Sequence, residues 1–368
     1  MATAMIVNAA FLIPMAISLA DLAKQKANNK FTSTNVELVA GHGSSDAGGA
    51  IPDVSLFDVN GARIGQWKAK GKKLGAGDST TDKQPTQISI LENQGTDGQP
   101  QYVMLTMAND DAICLTSVAV DGHGVQWAWM GDVAYHCGAD WYQSNYAYGN
   151  DNYMPKCGWL DKNHSDGLHY VGMSLHMSDF NGDSGLLKEY NDKKDNLCNS
   201  KARYNRIGDF EKGEDADNAF PYFFSPPLQY NKDGSDKDEK AIFKPGKVNA
   251  KRDAPAAPVN ATMNGSIDRL GHVVISEYKA HSATELCESS TSRGPSFVAI
   301  EEGMYCDMST KKPHPVCAQG VTTACFDTDN NRLLSQPRRR HARDLETRDI
   351  HKQYVTSETW GPGRRKRV

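Results

Sequence analysis

The stretch that decides the fold runs from Cys114 to Trp159 and reads CLTSVAVDGHGVQWAWMGDVAYHCGADWYQSNYAYGNDNYMPKCGW. It holds three of the eight cysteines and four of the six tryptophans: Trp127, Trp129, Trp141 and Trp159. Two apolar runs flank Asp121-Gly122-His123-Gly124, which predicts strands over Ala112–Val120 and Val125–Met130. Trp127 and Trp129 lie two residues apart, so both point to one face of a sheet and read as sandwich core.

Working outward, the same texture continues on both sides. Val36–Ala40, Val54–Asp58 and Ala62–Trp67 read as strands. Asn60-Gly61 between the last two is a hairpin signal, since a type I′ turn needs positive φ. Thr86–Glu92 and Tyr102–Met107 read as another pair, with Asp97-Gly98 in the connection. Leu168–Met177 places Val171, Met173, Leu175 and Met177 on one face. A helix is expected over 185–200, ending near Cys198. Farther on, Val273–Tyr278, Phe297–Met308 and Gly320–Asp327 read as strands, and Ser282 caps a short helix over Ala283–Glu288.

Apolar residues make up 39% of the 368, charged residues 23%, and there are 32 glycines, the composition of β-structure with many turns. The expected fold class is mainly β: a disulfide-stapled β-sandwich or jelly-roll with a small Cys-rich α+β C-terminal segment. The expected organisation is a signal peptide over 1–20, a β-sandwich domain over 21–207, an acidic and Pro/Ala-rich flexible linker over 208–266, a Cys-rich segment over 267–335 and a basic disordered tail over 336–368.

The compartment follows from the ends and the cysteines. Residues 1–20, MATAMIVNAAFLIPMAISLA, are the only long apolar run and end in Ser18-Leu19-Ala20, small residues of the kind a signal peptidase reads. Cleavage after Ala20 is expected, with a membrane anchor as the competing reading and no transmembrane segment left after removal. Secretion makes Cys114, Cys137, Cys157, Cys198, Cys287, Cys306, Cys317 and Cys325 a disulfide framework rather than a zinc site. Four lie before residue 200 and four after 286, which predicts two separately stapled groups of open connectivity. Sequons at Asn163, Asn260 and Asn264 are expected glycosylation sites. Residues 336–368 carry ten Lys/Arg against four Asp/Glu, a net of +6, which leaves −10 on the rest of a chain of net −4. Lys251-Arg252 in the linker, with Arg338-Arg339-Arg340 and Arg364-Arg365-Lys366-Arg367 in the tail, are candidate sites for a kexin-type protease; cleavage would give two pieces, held together if a disulfide joins them.

Several of these motifs occur together in a known group. AICLTSVAV, WAWMGD, a Cys-Gly, WYQSN, CGWLD and HMSDF, followed by ISEYKAHSATELCESSTSRGPSFVAIEEGMYCDMSTKKPHPVC and ACFDTD, resemble an abundant family of uncharacterised secreted proteins of filamentous fungi. The resemblance covers roughly residues 52–200 and 268–330. It implies secretion, disulfides and a fungal source, and it assigns no catalytic residue.

The chemical motifs are few. Gly182-Asp183-Ser184-Gly185 copies the nucleophile loop of trypsin-like proteases, but His136 lies only 48 residues upstream, too near for that two-barrel architecture. Asp179, Asn181 and Asp183 alternate as in a calcium loop, yet Ser184 and Tyr190 occupy the positions where an EF-hand needs Gly and Glu. No histidine spacing marks a metal site, the glycines at 41–49 lack the lysine of a phosphate loop, and no carboxylate pair stands out. No cofactor, metal or specific nucleic acid is expected. The aromatic loop remains: Trp141, Tyr142, Tyr146, Tyr148 and Tyr153 read as an exposed stacking platform for sugar rings. The expected function is a secreted, non-enzymatic protein that binds cell-wall or host glycan or a host protein. A secreted hydrolase on the same scaffold, or a toxin whose basic tail contacts anionic surfaces, are the alternatives.

Overall fold

The structure is a computed structural model. It describes residues 33–41, 47–74, 86–94, 99–149, 152–229, 242–243, 271–335 and 350–361, in two compact units, Met1–Ala261 and Thr262–Val368.

The described strands of the first unit are β1 (Ser33–Ala40), β2 (Gly49–Ala50), β3 (Asp53–Phe57), β4 (Arg63–Trp67), β5 (Lys73–Leu74), β6 (Thr86–Leu91), β7 (Tyr102–Thr106), β8 (Ile113–Gly122), β9 (Val125–Met130), β10 (Trp141–Tyr142), β11 (Cys157–Leu160), β12 (Gly172–His176), β13 (Tyr204–Ile207), β14 (Phe223–Phe224) and β15 (Ile242–Phe243). Among the described residues three α-helices intervene: α1 (Asp132–His136), α2 (Ser184–Asp192) and α3 (Asp195–Cys198). One sheet runs β10–β11–β8–β1–β6, with β9 also on β8; the other runs β13–β12–β7–β3–β4. Val36 and Leu38, Ile88 and Ile90, Val118 and Val120, and Trp127 and Trp129 from the first meet Val54, Leu56, Val103, Leu105, Met173 and Leu175 from the second in one core. Two sheets that bury their inner faces against each other are a β-sandwich. The mainly β, disulfide-stapled fold class is therefore what the chain adopts.

Local chemistry explains the joints. His123 and Gly124, with φ of 54° and 78°, make the two-residue turn between β8 and β9. Asp58 to Gly61 turns differently from the type I′ expectation. Only Gly61 of the Asn60-Gly61 pair has positive φ, and Asp58 Oδ1 accepts from the amides of Asn60 and Ala62. A third loop residue lets the turn close with Asn60 at negative φ. Thr86–Glu92 and Tyr102–Met107 do not pair with each other. The first run alternates exposed and buried side chains and becomes edge strand β6 beside β1; the second is buried throughout and sits centrally between β3 and β12. Burial on both faces, rather than adjacency in sequence, sets its place.

The acidic stretch does not begin as a free linker at 208. Ala219 and Phe223 pack with Phe57, Tyr102 and Met104, Phe224 N donates to the Tyr102 hydroxyl at 3.0 Å, and β14 pairs with β15. Phe220-Pro221-Tyr222-Phe223-Phe224 supplies the apolar surface that holds the chain up to Phe224 on the first unit. Lys251, Arg252, Asn260 and Asn264 lie outside the described residues.

In the second unit the described strands are β16 (His272–Ser276), β17 (Ser296–Ala299), β18 (Met304–Asp307), β19 (Lys312–Pro315), β20 (Phe326–Asp327), β21 (Arg332–Leu334), β22 (Ile350–Gln353) and β23 (Thr356–Trp360), with helix α4 (Ala283–Glu288). The main sheet runs β19–β18–β17–β16–β23. α4 crosses over between the parallel strands β16 and β17. Ser282 caps it by accepting from Glu285 N at 3.0 Å, and Glu302 accepts from the Ala283 and Thr284 amides.

The tail is not wholly without structure, contrary to its composition. β22 pairs with β21, and β23 lies parallel to β16 over five residue pairs. Trp360 is buried there, its ring 5.5 Å from His281 and 5.6 Å from Phe297. One buried aromatic and a full ladder hold a segment that its charge alone would leave solvated. Arg338 to Arg340 and Arg364 to Arg367 lie outside the described residues.

All eight cysteines are paired: Cys114–Cys157, Cys137–Cys198, Cys287–Cys306 and Cys317–Cys325. The two expected groups are separate, one in each unit. No bridge spans Lys251-Arg252, so two pieces cut there would share no disulfide.

Candidate functional site

Alternation along β1 sends Val36, Leu38 and Ala40 to the core and Asn35, Glu37 and Val39 to the other side. The register then assembles a polar outer face. Ser89, Asn35, Asp121 and Gln126 form one row across β6, β1, β8 and β9; Gln87, Glu37, Ala119 and Ala128 form the next; Val39, Ser117 and Met130 form a third. Gln87, Ser89 and Gln126 are exposed and Asp121 is half-buried.

The loop after β10 comes to this face. The Tyr148 and Ser117 hydroxyls lie 2.8 Å apart. Tyr148 and Tyr153 exchange two backbone hydrogen bonds of 2.8 and 3.0 Å, and the Tyr153 hydroxyl donates to Asp132 Oδ2 of α1 at 2.7 Å. These ties hold Tyr146 next to Glu37, whose charge acts on both Tyr146 and Tyr148.

Glu37 is the unusual group. It is 1% exposed, Oε2 accepts from Gln87 Nε2 at 3.2 Å, and among the described residues Oε1 has no hydrogen-bond partner. Burial pushes its pKa up, against the Gln87 hydrogen bond that lowers it. Burial also raises Asp121, the second carboxylate of the face. Asp121 stands diagonally from Glu37 on the neighbouring strand, which places their Cα atoms about 7–8 Å apart. Asn145, in the covering loop, has a buried Oδ1 that also lacks a partner among the described residues. Sequence reasoning did not single out Glu37. Its signal was there: one carboxylate inside Val36-Glu37-Leu38-Val39-Ala40.

The aromatic platform expected over Trp141 to Tyr153 is mostly interior. Trp141, Tyr142 and Tyr148 are buried, and only Tyr146 and Tyr153 keep partial exposure. β10 pairs with β11, and the Trp141 ring meets Tyr135 edge-on at 4.7 Å with the Lys156 ammonium 5.3 Å away. Gln143 and Ser144 are buried too, so the polar texture of YQSNYAY did not mean exposure. Trp127 and Trp129 are core, as their spacing implied. The cavity beside Trp129, bounded by Gly158, Met173 and Tyr204, has room for about one water and no ligand.

The other motifs are spent on the fold. Asp183 caps α2 by accepting from Gly185 N at 3.0 Å, with Ser184 as its first residue. Asp179 accepts from His176 Nδ1 at 2.8 Å, the Tyr190 hydroxyl at 2.7 Å and Arg203 at 3.0 Å, all buried. Among the described residues no group of three or more His, Cys, Asp or Glu could hold a metal ion. Asn163 sits on an exposed turn, its side-chain oxygen accepting from Ser165 N at 3.0 Å.

One pair in the second unit has the chemistry of a Ser–Lys hydrolase. Lys311 donates to the Ser292 hydroxyl, and burial, with Arg293 nearby, pushes its pKa down to about 7. Ser292 is fully buried, however, and its hydroxyl donates to Leu286 O at 2.6 Å. Lys311 also donates to Leu286 O and Ser292 O, so it closes the C-terminal end of α4 rather than activating an accessible nucleophile. No family model, curated protein or solved structure matches the chain.

Proposed function

We propose that this is an extracellular, non-enzymatic binding protein of the fungal secreted family it resembles, and that it recognises a cell-wall or host glycan through the outer face of its first sheet. The observation that carries this reading is the two-row array of Asn35, Glu37, Gln87, Ser89, Asp121 and Gln126, bordered by the half-exposed ring of Tyr146. Sugars are bound by amides, carboxylates and hydroxyls set beside an aromatic face. The array takes the role that the expected Trp141–Tyr153 platform loses through burial.

Extracellular residence rests on four disulfides and on the apolar leader. Among the described residues no helix is long and apolar enough to cross a membrane. Signal removal after Ala20, glycans on Asn163, Asn260 and Asn264, and kexin-type cleavage after Arg252 belong to the same proposal.

The test is binding of the secreted protein to a panel of immobilised polysaccharides, repeated with Gln87→Ala/Gln126→Ala. Loss of binding in the double variant supports the reading; a wild-type protein that retains no polysaccharide overturns it. A hydrolase is the second reading, favoured by the raised pKa values of Glu37 and Asp121 on one face. Release of reducing ends by wild-type protein, absent in Asp121→Asn, would select it.

A further inference from the structure

We propose that the ligand of this face carries a protonated primary amine, as in an oligomer of deacetylated hexosamine, and that Glu37 is the amine's counter-ion. This inference rests on the glycan-binding reading above and names the substrate class.

The argument starts from what is missing around Glu37. A buried carboxylate is normally paired with a cation or saturated with donors. Among the described residues Glu37 has a single donor, Gln87 Nε2, and an Oε1 without any. Its protonation is governed by burial and Gln87, with no contribution from a Lys, Arg or His among the described residues. Asp121, diagonal to it on β8, is likewise shifted by burial alone. Among the described residues the other titratable groups facing Glu37 are Tyr146 and Tyr148 of the covering loop, which bring no positive charge. Asn145, next to Tyr146 in sequence, has a buried Oδ1 that also lacks a donor among the described residues.

Such a site is short of donors and of positive charge. An ammonium group brings three donors, no acceptor and one positive charge. A neutral hydroxyl would fill the vacant hydrogen bond at Oε1 but leave the buried charge uncompensated. A sulfated or carboxylated glycan would add repulsion. An acetylated hexosamine replaces the ammonium by an amide and loses the charge. In an oligomer, the amine of one ring meets Glu37 while Asp121 attracts that of a neighbouring ring. Tyr146 is the half-exposed side chain beside Glu37, and entry of the amine to Oε1 requires this ring to turn aside.

The experiment is calorimetric titration of the full chain with a glucosamine hexamer and an N-acetylglucosamine hexamer near neutral pH, with a lysine hexapeptide as a third probe. The expected result is tighter binding of the deacetylated oligomer by about tenfold or more, the worth of one charged hydrogen bond. Glu37→Gln, which keeps shape and removes charge, should abolish the difference while its melting curve shows a folded protein. Asp121→Asn should weaken the glucosamine oligomer several-fold. Equal binding of both oligomers, or binding of only other glycans, overturns the amine inference and leaves the glycan reading standing. Equal affinity for the lysine peptide moves the amine to a protein ligand and overturns the sugar. Failure of every glycan overturns both readings together.

Discussion

The Tyr148 hydroxyl lies 2.8 Å from the Ser117 hydroxyl, and this contact fastens the loop after β10 to the outer face of β8. Both groups are buried, so removing one leaves the other short of a partner in a dry place. Tyr148→Phe should therefore cost about 1–2 kcal/mol. The loss should appear as faster amide exchange at residues 144–149, with β8 itself still protected. Unchanged exchange there would mean that the backbone pairing of Tyr148 with Tyr153 suffices.

Glu37 carries a stability cost with a definite sign. Burial raises its folded pKa above the ordinary glutamate value, so at pH values between the two the folded protein holds a proton that the unfolded chain has released. Stability must then fall as pH rises from about 4.5 through the folded pKa, and level off above it. Glu37→Gln has no proton to lose, so it should flatten that slope and raise Tm at neutral pH. Thermal melts of both proteins from pH 4 to 8 check this; a variant less stable than wild type at pH 7 would refute it. Binding sites often keep such destabilising groups.

The opposite sign holds at Asp179. Burial would push its pKa up, but His176 and Arg203, with hydrogen bonds from His176 and Tyr190, hold it below the usual carboxylate range. Its contribution is present above the unfolded value and is lost as pH falls through the folded one. Asp179→Asn removes the carboxylate that faces Arg203, which is 2% exposed, at 3.0 Å. Breaking a buried pair on one side costs about 3–5 kcal/mol, so the midpoint in urea should drop sharply, whereas Gln126→Ala on the exposed face should leave it unmoved.

How far the sequence carried the fold depends on how local each signal was. The β8–β9 hairpin was legible because alternation and a Gly-containing turn sit within one short stretch. The division of the cysteines was legible from their gap, though their pairing was not. The partners of β6 and β7 were hidden, because both runs look alike until the burial of each face is known. The covering loop misled for a related reason: Gln143 and Ser144 are buried beside a sheet face that a single strand does not reveal. Glu37 escaped notice because its oddity lies in what surrounds it.

Disulfide connectivity makes a prediction about processing. Cys114–Cys157 and Cys137–Cys198 lie before Arg252, and Cys287–Cys306 and Cys317–Cys325 lie after it. If the chain is cut after Arg252, a denaturing gel without reductant should show two bands, and reductant should leave their number unchanged. A single full-size band that reductant splits in two would require a bridge between the units.

The C-terminal residues separate charge from structure. Deleting everything after Ser335 removes the basic runs together with β22 and β23, and with them the ladder on β16 and the Trp360 ring against His281 and Phe297. Loss of a buried tryptophan alone costs about 3–5 kcal/mol. That truncation should therefore unfold the second unit, whatever the charges do. Ending the chain after Gly361 removes Arg364 to Arg367 and leaves β23 in place. If the tail acts by attraction to anionic surfaces, this shorter deletion should weaken binding to anionic vesicles, more so at low salt, and leave the Trp360→Phe difference in fluorescence intact. If both truncations lose binding only when the second unit melts, the strand and not the charge is what the tail contributes.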